Sequence, residues 1–443
     1  MKTRSATRQE AVSDMTKSNA AKQELPGFTA RHRLLFVCTY LCYIAVNTAP
    51  NALMPATKAA LGLTSGDVAF IGSWQTIGLA FGKCVWGGWP ADLFGARRTY
   101  MWTMLALAAA VVLMPAMPSV GALAVMLTAL EVVSTPAMPC HVRWIGAWIP
   151  PEATSHGFWL LGMASRGGDM LGKLCFGALL TWATREQTAT AAATVGLAGA
   201  LLGGWYHLDA PGRRDVGGVA AAPSELRDVL RRILMARPFW RAAAALSSTC
   251  VLKRTLETLA PVYFFASSSV VSQGEAAQLA SAWPAGILAS MLVGGVFFNR
   301  ASARGKVALI VAMMGVTFGG CVALAAVSAA IAHSRAEVGL RVLLTFATAF
   351  GIGLPYYVPI GMFAVRFGGS SSGVVSAYLD VCAFVVSAAF LALLRPVLDE
   401  AGAAGWVAMW RALAAVSLVM LACNFVFLRD LLLEKPNDAS GRS

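Results

Sequence analysis

Charged residues are scarce in this chain of 443 amino acids. Asp, Glu, Lys and Arg make up only 13% of the residues, whereas 57% are hydrophobic and the mean hydropathy is +0.64. A soluble domain carries about a quarter charged residues. Apolar runs of about 20 residues recur along nearly the whole chain, and each could cross a hydrocarbon layer about 30 Å thick. We therefore expect an integral membrane protein, whose spans must be helices because lipid satisfies no backbone hydrogen bonds.

The sequence also lacks the motifs of several other protein classes. Its nine cysteines form no CxxC pair, which argues against a disulfide framework or a structural zinc ion. Its five histidines show no metal-ligand spacing, and no Walker A sequence is present to hold a nucleotide. We expect neither an enzyme nor a nucleotide-driven pump, and we expect no metal and no cofactor. Any transport would run on a gradient or on exchange.

The net charge of +13 is spread over short loops and tails. It forms no interleaved basic and aromatic surface of the kind that binds nucleic acid, so we expect the lipid bilayer and no nucleic acid as a partner. If the helices alternate across the membrane, most Lys and Arg side chains fall on one side. The positive-inside rule then places both termini and the central loop in the cytoplasm. Plasma and organelle membranes are not distinguished.

Twelve apolar segments divide into two groups of six. We predict a tail at 1–30, a first six-helix half at 31–208, a charged linker at 209–237, a second half at 238–432 and a tail at 433–443. The helices are expected at about 34–55, 68–90, 99–117, 119–148, 155–183, 187–208, 239–266, 276–298, 307–332, 338–367, 373–394 and 406–432. The prediction is an all-α integral membrane fold with twelve transmembrane helices in two pseudo-symmetric halves.

A polar turn between predicted helices 2 and 3 is the most distinctive motif. It contains Gly88, Asp92, Gly95, Arg97 and Arg98 in the spacing G-x-x-x-D-x-x-G-x-R-R. The carboxylate can bond backbone donors at a helix end, and the second glycine permits a sharp bend. This spacing resembles the loop between helices 2 and 3 of the major facilitator superfamily. A looser copy, with Asn299 at the position of Asp92, follows helix 8, as two related halves would produce.

Several charges lie inside the apolar segments, where each costs roughly 2.5–3.5 kcal/mol on insertion scales. They are Lys83 in helix 2, Arg166, Asp169 and Lys173 in helix 5, Lys253, Arg254 and Glu257 in helix 7, and Asp380 in helix 11. Two interpretations remain open. Either the ladders in helices 5 and 7 neutralise themselves and only lock helices together, or the charges line a cavity whose surplus of cations favours an anion. Arg143 in helix 4 either joins that cavity or lies at the cytoplasmic interface.

Within the superfamily, several stretches resemble the organophosphate:phosphate antiporters. They are Arg33 and the run from Tyr40 to Pro55, Gly82-Lys83, Met138 to Trp148, Gly167-Gly168, Leu252 to Tyr263, and Pro355 to Gly361. The resemblance implies exchange of an organophosphate for phosphate, held by arginines in helices 1 and 7. Arg254, or Lys253 beside it, matches the helix 7 arginine, whereas Asn47 stands at the helix 1 position. The family's helix 5 histidine falls near Ala164. The stretch from Trp148 to Glu152 is also similar to the sialin-type organic-anion transporters.

We predict a secondary transporter that moves a small anionic metabolite by alternating access as a monomer, with phosphate or a proton as the coupled ion. The expected solute-binding residues are Lys83, Arg166, Arg254, Lys253, Tyr40, Asn47 and Tyr356. The residues expected to couple protons or pair charges are Asp169, Lys173, Glu257 and Asp380. Two alternatives remain: a proton-coupled carrier of a carboxylate or neutral metabolite, and a sensor that binds a ligand without moving it.

Overall fold

The computed structural model describes residues 30–86, 89–149, 154–206, 231, 233–368, 372–399 and 402–432. The first half contains α1 (Ala30–Leu61), α2 (Ser65–Trp86), α3 (Ala96–Leu113), α4 (Val120–Ser134, continued as Ala137–Trp148), α5 (Thr154–Leu179) and α6 (Arg185–Tyr206). The second half contains α7 (Arg237–Ala266), α8 (Gln273–Leu279, Ala282–Ala289, the π-helical Ser290–Gly294 and Gly295–Arg300), α9 (Ala303–Val327), α10 (Arg335–Gly368), α11 (Ser372–Asp399) and α12 (Gly402–Leu432). The predicted tails and most of the predicted linker lie outside the described residues.

Two of the helices are interrupted where the sequence predicted continuous spans. Helix α4 breaks at Thr135 and Pro136, because proline has no N–H to continue the hydrogen-bond ladder. The first segment of α8 begins with a capping box between Ser272 and Glu275, and the helix later widens into a π-helical turn. The twelve helices otherwise follow the predicted order, and several extend a few residues beyond the predicted bounds.

Over the described residues, nine of the twelve helices are long and apolar enough to cross a membrane by themselves. The other three are α5, α6 and α7. Helices α5 and α7 carry the charged groups identified above, and α6 is rich in Ala, Thr and Gly. Most side chains of α7 between Phe239 and Phe264 are buried in the bundle. A span enclosed by other helices does not need a lipid-facing apolar surface, and so it tolerates charges.

The packing of the helices shows the pseudo-symmetry directly. In the first half α1 packs against α5 and α6, α2 against α4, and α3 against α6. In the second half α7 packs against α11 and α12, α8 against α10, and α9 against α12, so each pair recurs six helices later. Between the halves α2 packs on α11 and α5 packs on α8, which are again equivalent pairs. Two six-helix halves therefore meet along two related seams.

Both seams are tied at the end of the bundle opposite the start of α1 and the end of α12, which we call the distal end. Arg395 at the end of α11 pairs with Asp67 at the start of α2, and its Nη2 lies 3.1 Å from Asp67 Oδ1. Helices α5 and α8 come close because Gly177 faces Gly274. A Cβ at Gly177 would lie only 2.7 Å from the carbonyl oxygen of Gly274. The two halves are thus in contact at the distal end in this conformation.

The polar turn after α2 is described only in part. Gly88 and the side chain of Asp92 lie outside the described residues, so their expected roles stay predictions. Gly95 has a φ of +82°, in the left-handed region that glycine enters without strain. Arg97 and Arg98 follow it and are exposed. This backbone geometry agrees with the bend expected at Gly95, and the conformational role of the motif stays a prediction.

Arg143 ties the polar turn to α4. Its guanidinium donates to the carbonyl oxygen of Ala91, which lies in the short helix Trp89–Phe94. Of the two positions expected for Arg143, this contact supports the one at the end of the bundle and not the one in a central cavity.

Candidate solute site between the two halves

Three charged side chains on one face of α5 form a buried ladder. Lys173 Nζ lies 2.9 Å from Asp169 Oδ1, and Arg166 Nη1 lies 3.8 Å from Asp169 Oδ2. Thr48 of α1 donates a further hydrogen bond of 2.8 Å to Asp169. The spacing of three and four residues brings these groups together on one helix face. For Asp169 and Lys173 the contacts favour a locking role.

Glu257 of α7 is shared by three cations. Its Oε2 lies 2.9 Å from Lys253 Nζ and 3.3 Å from Arg254 Nη1, and its Oε1 lies 2.8 Å from Arg166 Nη1. Arg166 comes from the first half and the other two cations from the second, so this carboxylate joins the halves. A buried carboxylate is tolerated when charged partners surround it in this way. Three of the four cations expected to bind an anion, all except Lys83, are therefore directed at one carboxylate of the protein.

A second carboxylate, Glu131 of α4, approaches the same group of cations. Glu131 is only 4% exposed, and its Oε1 lies 3.7 Å from Arg254 Nη2. The side-chain amide of Asn47 in α1 lies within hydrogen-bonding range of it. The sequence analysis missed Glu131, although a glutamate inside the apolar run of α4 meets the same criterion as the other intramembrane charges.

Lys83 and Asp380 form a separate ion pair beside this group. Lys83 in the last turn of α2 contacts Asp380 of α11, and their side chains are 19% and 22% exposed. The Lys83 ammonium lies 5.6 Å from the centre of the Phe384 ring, and the Arg254 guanidinium lies 6.0 Å from the same ring. Phe384 thus separates the Lys83 pair from the central cations.

Two tyrosines of α10 cover the central cations. The ring centre of Tyr356 lies 5.1 Å from Lys253 Nζ, and that of Tyr357 lies 5.8 Å from the guanidinium carbon of Arg166. These distances are typical of cation–π contacts. The structure places the predicted Tyr356 at the site, and it adds Tyr357, which the sequence analysis did not single out.

Tyr40 has its direct ring contacts within the first half. It packs in the first half against His141 and Tyr43, with ring centres 4.8 and 5.5 Å apart. His141 is fully buried, and its ring nitrogens lie 3.1 Å from Thr39 Oγ1 and 2.9 Å from the carbonyl oxygen of Ala137. These contacts hold α1 against α4. A direct contact between Tyr40 and a solute stays a prediction.

The described site carries five cations and four carboxylates. The cations are Lys83, Arg166, Lys173, Lys253 and Arg254, and the carboxylates are Glu131, Asp169, Glu257 and Asp380. The formal excess is therefore one positive charge. This excess is smaller than the one expected from the sequence, because Glu131 adds a carboxylate and Arg143 contacts Ala91 instead.

Some buried polar atoms of the site have no hydrogen-bond partner among the described residues. They are Nε of Arg166, Nε of Arg254, Oδ1 of Asn47 and Oδ1 of Asn51. Because buried polar groups are normally bonded, such atoms indicate where a solute could donate or accept. Within the described part of the chain, no group of three or more His, Cys, Asp or Glu side chains is arranged to hold a metal ion.

Solved structures of transporters share this architecture. The nucleoside transporter NupG matches with a TM-score of 0.69 and 12% identity, over 89% of this chain and 99% of that one. A D-xylose–proton symporter matches at 0.67 and 12%, over 91% and 97%. The peptide transporter POT in complex with sulfate matches at 0.69 and 16%, over 94% and 99%. At these identities the likeness shows the fold and leaves the solute open.

A comparison with curated protein sequences found no match. The sequence does match the Major Facilitator Superfamily over residues 36–390, from α1 to α11. This match covers the six helices of the first half, most of the second half and the polar turn between α2 and α3. The chain is therefore a member of the Major Facilitator Superfamily, a family of multi-pass membrane transporters.

Proposed function

We propose that this transporter moves a small organic anion by alternating access, with a site between α5 and α7. The observation that supports this is the sharing of Glu257 by Arg166, Lys253 and Arg254. An anionic solute that enters the site competes with Glu257 for these cations. Because Arg166 lies in one half and Glu257 in the other, such competition loosens a contact that holds the halves together. Solute binding can thereby shift the equilibrium between the two access states.

The charge of the site favours a solute with one net negative charge. With all groups ionised, the nine charges carry a formal excess of one positive charge. A solute of charge −1 brings the buried group to neutrality, and an uncompensated buried charge is costly. A dianion would be accommodated only if one carboxylate took up a proton.

Exchange of an organophosphate for phosphate is the second candidate. It is supported by one observation, namely that the guanidinium groups of Arg166 and Arg254 both contact Glu257. Two guanidinium groups that meet at one carboxylate could rebuild the phosphate clamp, although Asn47 stands where the antiporters have their helix 1 arginine. Because a phosphate ester carries up to two negative charges, this mode would include protonation of Glu257 or Glu131.

Alternating access also requires the distal contacts to open. Asp67 and Arg395 must separate, and α5 must move away from α8, before a solute can enter from the distal end. With both termini in the cytoplasm, as the loop charges favour, the distal end faces the opposite compartment. We propose that one chain contains the complete site, because every charged group described above belongs to it.

Counterflow in proteoliposomes tests the proposed function. Vesicles are loaded with an unlabelled anion, chosen from monocarboxylates, dicarboxylates, phosphate and sugar phosphates, and uptake of a trace of the labelled anion is followed. We expect saturable counterflow with at least one of them, and loss of it in Arg254→Ala. The matched control is Arg335→Ala, which removes an exposed arginine paired with Glu275 far from the site.

The outcomes separate the candidates. Phosphate counterflow driven by a sugar phosphate supports the antiporter mode, and accumulation that follows an imposed proton gradient supports proton symport. Saturable binding of an anion without counterflow supports the sensor. Normal counterflow in Arg254→Ala would contradict the proposed site.

A further inference from the structure

Glu131 is the least compensated carboxylate of the site. Among the described residues, Arg254 is the one cation within 4 Å of it, and that contact is 3.7 Å long. Ser134 Oγ lies 3.4 Å from its Oε2, but this hydroxyl donates a shorter bond of 2.8 Å to the backbone carbonyl of Glu131. Glu257, by comparison, has three cations within 3.3 Å. An ionised carboxylate can accept about four hydrogen bonds, so Glu131 has unused capacity for donors.

Arg254 likewise has N–H donors without a close acceptor. Its Nη1 makes a bond of 3.3 Å to Glu257, and its Nε has no partner. A guanidinium carries five N–H donors, and an anion usually engages two of them at once. Arg254 and Glu131 thus face each other across the two halves, each with capacity to spare, at a distance too long for a hydrogen bond.

The side of the site next to Glu131 is rich in acceptors. Asn47 lies against Glu131, and its Oδ1 has no partner; Asn51, one turn further along α1, also has an unpartnered Oδ1. Both asparagines are half-buried as residues, and their Oδ1 atoms are themselves buried. Carboxylate and amide oxygens together form a suitable environment for an ammonium group, which has three donors and no acceptor.

From this arrangement we infer that the solute is an organic anion that also carries an amine. This rests on the proposed function and names the class of its substrate. The ammonium group binds Glu131 and the Oδ1 of Asn47, while an acidic group on a nearby carbon atom binds Arg254. The solute thereby replaces one loose contact of 3.7 Å by two close charge-assisted hydrogen bonds.

The charge of the site defines the class further. A solute with one ammonium and two negative charges has the net charge of −1 that neutralises the site. Amino dicarboxylic acids and aminoalkyl phosphates share this chemistry. In both, the second negative charge is available to Arg166 and Lys253, which otherwise contact Glu257.

Matched solutes test the inference in the purified full-length protein. Binding is measured by competition and by thermal stabilisation with aspartate, succinate and succinamate, and with phosphoethanolamine and ethyl phosphate. Succinate has the two carboxylates of aspartate but no ammonium group. Succinamate also has no ammonium group, and its net charge equals that of aspartate. We expect the amine-bearing member of at least one set to bind about tenfold or more tightly than its analogues, since hydrogen bonds between charged groups are the stronger ones. Tight binding of aspartate would identify the solute as an amino dicarboxylic acid, and tight binding of phosphoethanolamine would identify it as an aminoalkyl phosphate.

Two variants connect this preference to the subsite. Glu131→Gln keeps the size of the side chain and should reverse the preference, so that succinate or ethyl phosphate binds more tightly than the amine. Asn47→Leu leaves the net charge unchanged and should weaken only the amine-bearing member. If a variant fails to fold, the comparison of solutes on the wild-type protein still tests whether the site prefers a solute that carries an amine.

Several results would overturn the inference. Equal binding of aspartate and succinamate would show that net charge alone matters. Counterflow of some other anion, with no member of either set bound, would exclude the amine subsite and leave the proposed function standing. Loss of proton-driven uptake in Glu131→Gln with an unchanged solute preference would identify Glu131 as a proton carrier. Failure of every anion in counterflow would instead refute the proposed function itself.

Discussion

Lys83 on α2 and Asp380 on α11 form an ion pair across the two halves of the transporter. The two side chains are mostly buried, so loss of one partner leaves a charge that water solvates poorly. The pair joins the same two helices that Asp67 and Arg395 join at the distal end. The seam between α2 and α11 therefore carries ionic contacts at two levels.

The Lys83–Asp380 pair gives the first prediction. Lys83→Met and Asp380→Leu should each reduce counterflow by about tenfold or more, because each leaves an unpaired charge. The double variant should be more active than either single one, since it carries no unpaired charge. Counterflow of all three is measured at equal amounts of reconstituted protein. A double variant no better than Lys83→Met would show that Lys83 itself contacts the solute.

The ladder on α5 gives a prediction about stability. Lys173 is fully buried, and its ammonium lies 2.9 Å from Asp169. Lys173→Met should destabilise the fold by up to about 3–5 kcal/mol, because Asp169 then loses its close cation and keeps only Arg166, at 3.8 Å, and the Thr48 hydroxyl as partners. Lys173→Met combined with Asp169→Leu should recover most of this loss. Melting temperatures in detergent measure both effects, and equal melting temperatures for the single and double variants would contradict the locking role.

The close approach of α5 and α8 predicts an effect on the access equilibrium. A Cβ at Gly177 would lie 2.7 Å from the Gly274 carbonyl oxygen, so Gly177→Ala should disfavour the conformation that is closed at the distal end. Gly121→Ala is the control, because a Cβ there meets no atom within 4 Å. The readout is the rate of maleimide labelling of Asn51→Cys in a protein without its native cysteines. We expect Gly177→Ala to increase this rate and Gly121→Ala to leave it unchanged. Equal labelling in both variants would exclude this contact as a determinant of the closed state.

Arg341 of α10 should be a structural residue. It is 3% exposed and donates to the carbonyl oxygens of Ser267, Val327 and Ala330, the last two at 2.7 and 2.6 Å. Arg341→Met removes the guanidinium donor from the Val327 and Ala330 carbonyls, whereas the Ser267 carbonyl keeps the backbone N–H of Ala332. The substitution should cost about 1–3 kcal/mol for each acceptor left buried without a donor. The melting temperature should fall more than in Arg335→Ala, which removes an exposed arginine of the same helix. An unchanged melting temperature would show that water replaces the guanidinium.

Some features of the site could be read from residue spacing. Arg166, Asp169 and Lys173 lie three and four residues apart, and Glu257 follows Lys253 by four residues and Arg254 by three. Helix geometry brings residues at such separations together. The ion pairs within α5 and within α7 were therefore predictable from the sequence. The contact between Arg166 of α5 and Glu257 of α7 was not predictable, because it depends on how the two helices are placed relative to each other.

Glu131 shows a different limit. Its position inside an apolar run was visible in the sequence, and the same rule that selected the other charges would have selected it. The expected surplus of positive charge was too large because of that omission and because Arg143 was counted. Tyr357 and Phe384 carried no comparable signal, because an aromatic residue in a membrane helix is equally compatible with packing in the core.

The sequence by itself determined that this chain is a bundle of twelve membrane helices in two halves. In lipid a long apolar run has only the helix available, and the polar turn with Gly95 marks the boundary between two of them. Only the tertiary structure decided which charges meet. Lys83 and Asp380 are 297 positions apart, and Arg166 reaches Glu257 over 91. Helical periodicity specifies neighbours within one helix, whereas partners on different helices are set by the packing of side chains along the seams between them.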